Sequence, residues 1–108
     1  MSHRVVVTAR AKIQLYESAL WWAENRDLNQ AADWLEAFDV ATAEIARQPE
    51  RYPTAREDDL FDYTLRRHTF GIGKKHTHRI LFEVRDETKY VRAIRHLHQD
   101  DVTPADLG

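Results

Sequence analysis

A chain of 108 residues with 43% hydrophobic side chains and only three glycines and three prolines has the make-up of one compact domain, not of a disordered segment. It contains no cysteine, so disulfides and thiolate metal sites are excluded and a reducing cytoplasm is the expected setting. The formal charge of -2 conceals a division: residues 1–62 carry 7 Lys and Arg against 12 Asp and Glu, whereas residues 63–98 carry 9 against 3 and five of the six histidines.

Arg4 to Thr8 holds a β-branched run and predicts a short first strand, too brief to be the apolar core of a signal peptide. Thr8 is placed to cap a helix running to about Asn25, on which Ile13, Tyr16, Leu20 and Ala23 recur as one apolar stripe. Trp21 and Trp22 on this helix point about 100° apart. One of them is therefore left for a partner surface, a homodimer included. Asp27 with Gln30 three residues on has the form of a capping box and opens a second helix to about Gln48. Ala31, Trp34, Leu35, Phe38, Ala41, Thr42 and Ile45 line its inner face, and Pro49 stops it for want of an amide donor.

Pro49 to Pro53 reads as a rigid connector and Arg56 to Asp62 as a charged loop. Three strands follow, over 63–70, 77–84 and 90–98, joined by a loop at Gly71 to Lys75 and a polar turn at Arg85 to Lys89. Ile80, Phe82 and Val84 alternate with Arg79, Leu81 and Glu83, the pattern of a half-buried strand. The last strand does not settle its own faces, because Val91, Ala93 and Leu97 alternate against Ile94. The expected fold class is α+β: a single domain over 1–108 in the order β-α-α-β-β-β, with an antiparallel sheet packed on a helical hairpin. No apolar run approaches the roughly 20 residues of a membrane-spanning helix, and no membrane association is expected.

Two groupings could carry chemistry. His76-Thr77-His78 and His96-Leu97-His98 place two imidazoles on one side of a strand, a spacing able to grip an ion. Surface histidines on a basic sheet account for the same pattern, and no metal or other cofactor is expected. The second grouping is Arg66, Arg67, Lys74, Lys75, Arg79, Arg92 and Arg95, interleaved with His68 and His96. RNA cleavage at a 2′-hydroxyl needs a base, an acid and cations for the charge gathering on phosphorus, and histidine and arginine suit these tasks. Phosphate contact without cleavage uses the same residues.

The order of four motifs makes the whole chain, from Val5 to Leu107, resemble the RelE/ParE toxin superfamily. They are Ala31-x-x-Trp34-Leu35-x-x-Phe38, Ile45-Ala46-x-Gln48-Pro49, His78-Arg79-Ile80-Leu81-Phe82-Glu83-Val84 and Ile94-Arg95-His96-Leu97-His98-Gln99-Asp100. The resemblance implies the toxin of a type II toxin–antitoxin pair, a plasmid stabilisation system, neutralised by a cognate antitoxin that wraps it. One branch of the superfamily cleaves mRNA on the ribosome, and another inhibits DNA gyrase without hydrolysing anything. Arg79 matches the strand arginine that contacts phosphate in the cleaving branch. The C-terminal tyrosine of that branch has no counterpart in 101–108, which holds no aromatic residue.

The resemblance therefore points to a growth inhibitor of the gyrase-binding type. A cleaving enzyme using Arg79 with His96 and His98 is the alternative. The candidate target-binding residues are Arg66, Arg67, Lys74, Lys75, Arg95, Gln99 and Asp100, gathered on one concave cationic face of the sheet.

Overall fold

The computed structural model describes residues 4–107. Strand β1 (Arg4–Val7) leads into helix α1 (Ala9–Asn25) and helix α2 (Leu28–Arg47). Then come β2 (Arg66–Phe70), β3 (His78–Arg85), β4 (Thr88–His96) and a terminal turn of helix, α3 (Pro104–Leu107). Both predicted caps form: the Ala11 amide donates to Thr8 Oγ1 (3.3 Å) and the Gln30 amide to Asp27 Oδ1 (2.8 Å). Helix α2 ends at Arg47, and Pro49 opens a single 3₁₀ turn over Pro49–Arg51.

The sheet order is β1-β4-β3-β2. β2, β3 and β4 are antiparallel neighbours, as expected. β1 departs from a purely antiparallel arrangement, pairing parallel to β4 with Val6 opposite Tyr90. A parallel pair needs a long crossover, and the helical hairpin supplies it. β2 begins at Arg66 and not at residue 63, because the preceding residues pair elsewhere. The Leu65 amide donates to Asp58 Oδ1 and its carbonyl accepts from Ala55. At the β2–β3 loop a side chain at Gly71 would meet the Lys75 carbonyl at 2.3 Å, which is why glycine stands there.

One face of the sheet carries the main core. Trp34, Phe38, Ala41 and Ile45 of α2 and Ala11 and Leu15 of α1 close over Phe70, Ile80, Phe82, Val91 and Ile94. The inner face of α2 is therefore the predicted one. That of α1 is not: Ile13, Tyr16 and Leu20 are 60, 63 and 57% exposed. The inward stripe is Ala11 and Leu15, buried, with Ala19 and Trp22, half-buried, and it shares the same helical spacing. Two stripes on one helix are equivalent in the sequence; packing on β4 and α2 selects between them.

The ambiguity in β4 is resolved by a bulge. Phe82 pairs with Val91 but Leu81 with Ala93, so Arg92 is the extra residue. The irregularity lets Val91 and Ile94 share the helix-facing side while Ala93 joins Leu81 on the other. That other side is not open to solvent. Ala55 and Leu65 from the long loop and Val102 and Leu107 from the C-terminal segment cover Leu81 and Ala93, forming a second core.

Candidate functional site

His78 and His96 stand opposite each other on β3 and β4, with ring centroids 5.1 Å apart. His78 points among the helices. Its Nδ1 accepts from the Trp34 indole N–H (3.3 Å) and, since indole can only donate, also from the Thr77 hydroxyl (2.8 Å). That fixes the proton on Nε2. Burial, with a smaller contribution from the neighbouring His96, pushes the His78 imidazole down to about 4, so it is neutral at ordinary pH. His96 is oriented by the turn that follows: its Nδ1 accepts from the His98 amide (3.2 Å), and its own amide donates to Gln99 Oε1 (2.7 Å).

These residues wall one end of a cleft of about 590 Å³ between α1 and the ends of β3 and β4. Gln14, Glu17, Ser18, Trp21, Trp22 and Arg26 line it from α1, and Ile94, Arg95, His96 and Gln99 from β4 and its turn. Trp21 and Trp22 meet edge to face with centroids 5.3 Å apart. Gln14 also ties the helix to the sheet, its Oε1 accepting from the Ile94 amide (2.7 Å).

Three predicted site residues, Arg95, His96 and Gln99, thus meet at one cleft, with the exposed His98 ring 5.2 Å from His96. Asp100 lies beyond them, exposed, its carbonyl accepting from Arg95 Nη2.

Arg79, expected as a phosphate-contacting group at the surface, is buried instead. It is 2% exposed and forms a two-pronged ion pair with the buried Glu57, Nη1 to Oε1 at 2.7 Å and Nη2 to Oε2. Glu57 Oε2 also accepts from the Val102 amide (3.0 Å), so one carboxylate fastens both the long loop and the C-terminal segment over the sheet. Burial by itself raises the Glu57 carboxyl, but the Arg79 guanidinium and the Val102 amide outweigh it and hold it below its ordinary value. Arg79 therefore lies beneath the chain, between Glu57 and the C-terminal segment it helps to hold.

The remaining cations do not assemble on one concave face. Arg66 pairs in register with Phe82 on the helix side and gives Nη1 to the Tyr52 carbonyl (2.8 Å). Arg67, opposite Leu81, is exposed on the other side, and Lys74 and Lys75 are exposed in the β2–β3 loop. Arg92 lies over the Tyr63 ring and pairs with the buried Glu83 (3.1 Å). Of the two His-x-His pairs, His96 and His98 stay together with ring centroids 5.2 Å apart, but His76 and His78 do not act as a pair. His76 precedes β3, and its Nδ1 bonds to Thr69 Oγ1 (2.7 Å), away from His78.

Sequence reasoning missed Glu57, Gln14 and the role of Trp34. The first is one of four carboxylates in the loop over 56–62, with nothing in the sequence to single it out or connect it to a residue 22 positions away.

A helical hairpin crossing over a mixed four-stranded sheet, with a histidine-bearing cleft at the strand ends, is the frame in which the comparison with known families falls. Residues 5–102 match the family model described as the ParE toxin of type II toxin–antitoxin system, parDE. The chain belongs to that family, in agreement with the resemblance read from its motifs, and membership implies a cognate antitoxin partner. A search of curated proteins found no match. Among the described residues no helix is long and apolar enough to cross a membrane.

Proposed function

We propose that this toxin arrests growth by binding its target, with DNA gyrase the expected one, and not by cutting RNA. The observation that carries the reading is the burial of Arg79 in its ion pair with Glu57. A cleaving site needs a cation at the phosphate together with an acid and a base. Here the candidate cation is sealed under the C-terminal segment. His78, held neutral and bonded to Trp34 and Thr77, is a structural imidazole. Target contact then falls to the exposed Arg67, Lys74 and Lys75 and to the end of β4 with Arg95, His96, His98, Gln99 and Asp100.

One observation favours the cleaving alternative: His96 and His98 lie side by side at an accessible strand end, as an acid–base pair would. Inducing the chain in a bacterium without its antitoxin separates the two. Binding to gyrase changes plasmid superhelicity while message half-lives hold. Cleavage fragments mRNA within minutes and leaves plasmid topology as it was. In a His96→Ala, His98→Ala variant that melts normally, a loss of gyrase inhibition in step with the loss of arrest supports the binding reading; a loss of message fragmentation in step with it supports cleavage.

A further inference from the structure

The cleft between α1 and the strand ends has an unusual hydrogen-bond inventory. Gln14 and Gln99 each spend their side-chain carbonyl oxygen on a backbone N–H, those of Ile94 and His96. Backbone amides only donate, so the carbonyl assignment is fixed and each NH₂ end is left over. His78 and His96 likewise spend Nδ1 as acceptors, toward Trp34 and Thr77 in one case and the His98 amide in the other. In their neutral forms both rings keep the proton on Nε2. His78 is only 7% exposed yet lines the cleft, and its Nε2–H has no hydrogen-bond partner among the described residues. Four side chains lining the cleft thus have N–H groups to offer, with their acceptor atoms consumed internally.

We infer that this cleft is a binding site for a carboxylate carried on a flat apolar body. The donors take the carboxylate oxygens, and Ile94 with the Trp21–Trp22 pair takes the body. At about 590 Å³ the cleft falls within the range of small-ligand sites, roughly 300–1,000 Å³. A carboxylate fits better than a phosphate. The four donors are neutral amides and imidazoles, and a doubly charged phosphate calls for a forked set of cations, whereas Arg26 is exposed at the end of α1 and Arg95, opposite Arg79 in register, gives Nη2 to the Asp100 carbonyl. Glu17 is the one carboxylate on the wall, and it sets the side of the cleft from which the ligand's charge is kept. The inference does not depend on which target the toxin arrests. The same chemistry is offered by a free aromatic acid or by an aromatic residue at the C-terminus of a peptide.

The test is calorimetric titration of the full chain at pH 7 with indole-3-acetate and with the tripeptide Gly-Gly-Trp. Indole-3-acetamide and the tripeptide amide, which lack the carboxylate, serve as controls. Saturable binding of either acid is expected, at least about tenfold tighter than its amide. Which acid binds identifies the source of the ligand. Gln14→Glu and Gln99→Glu each keep an oxygen for the backbone N–H they now satisfy while replacing the free NH₂ with a second oxygen. Each is expected to weaken binding about tenfold or more without moving the thermal midpoint. The imidazole N–H resonances of His78 and His96 should shift on titration with the acid that binds. No saturable binding by either acid would overturn the inference. So would amides that bind as well as acids, or a Gln14→Glu, Gln99→Glu double variant with undiminished affinity in a normally folded protein.

Discussion

The two faces of the sheet are buried by different means. On the helix side, α2 supplies a periodic apolar face; of the buried polar groups there, His78 has its Nδ1 satisfied by Trp34 and Thr77, and Lys89, opposite Val84, gives Nζ to the Glu87 carbonyl. On the opposite side, irregular segments cover a smaller apolar cluster beside buried charge: Glu57 fastens the loop to Arg79, and Glu83 pairs with Arg92 and Arg85 within the sheet. The buried side-chain atoms lacking a hydrogen bond among the described residues, Arg79 Nε, Glu83 Oε2 and Arg95 Nε, belong to this second side. The comparison teaches that one strand, β3, can be half packing and half electrostatics. The electrostatic half is the one that fails when a single partner is lost.

The largest effects should come from opposite faces by opposite mechanisms. Trp34→Ala leaves a cavity against Phe38, Phe70 and His78 and should cost about 3–5 kcal/mol in denaturant unfolding. Glu57→Ala should cost a similar amount, about 3–5 kcal/mol, because it strands the Arg79 guanidinium in a dry site. The faces then separate in the second step. Replacing both partners, as in Glu57→Leu with Arg79→Met, should recover most of that loss, whereas no second change at an apolar neighbour refills the Trp34 cavity so simply. Failure of the double variant to recover would show that apolar packing already dominates the outer side. Loss of toxicity in Arg79→Ala, by the same logic, reports a loosened C-terminal segment and must be read beside a melting curve.

Acid distinguishes the faces next. The imidazole of His78 is held near 4 in the fold against an ordinary 6.5, so between those values the unfolded chain takes up the proton first. Stability is complete above pH 6.5 and falls as the pH drops, by roughly 3 kcal/mol on reaching pH 4. His78→Phe should abolish this slope while costing about 1–3 kcal/mol at pH 7 for the unpaired Trp34 indole. The Glu57 carboxyl is depressed, so its contribution is present above its ordinary 4.5 and lost only as pH falls below that. A two-stage acid transition, helix side first, is the expected profile by circular dichroism.

The smallest effect sharpens the contrast within two adjacent residues. Arg56 pairs with Asp101 where both side chains are about half exposed, next to Glu57, which is sealed. Arg56→Ala should change stability by less than about 1 kcal/mol. A loss as large as that of Glu57→Ala would mean the exposed pair, and not the buried one, fastens the C-terminal segment.

What the sequence made legible follows the same division. Caps, the inner face of α2, three antiparallel strands and the family motifs are local patterns, and each stands close to where the spacing puts it. The inner face of α1 was not legible, since Ile13-Tyr16-Leu20 and Leu15-Ala19-Trp22 have the same period and only tertiary packing chooses. Nor were the faces of β4, which depend on the bulge at Arg92. At the site, Arg95, His96 and Gln99 were found together because they are near in sequence. The burial of Arg79 was not legible because its partner, Glu57, lies in a loop whose course over the sheet is a matter of long-range pairing.

The most direct test of the account is a supercoiling assay with purified gyrase, titrated with the folded toxin, beside translating ribosomes loaded with a labelled message. Inhibited supercoiling with the message intact is the predicted result, and it should vanish when the cognate antitoxin is added. Unimpaired gyrase together with a cut message would contradict it, and would require Arg79 to leave Glu57 and meet the RNA.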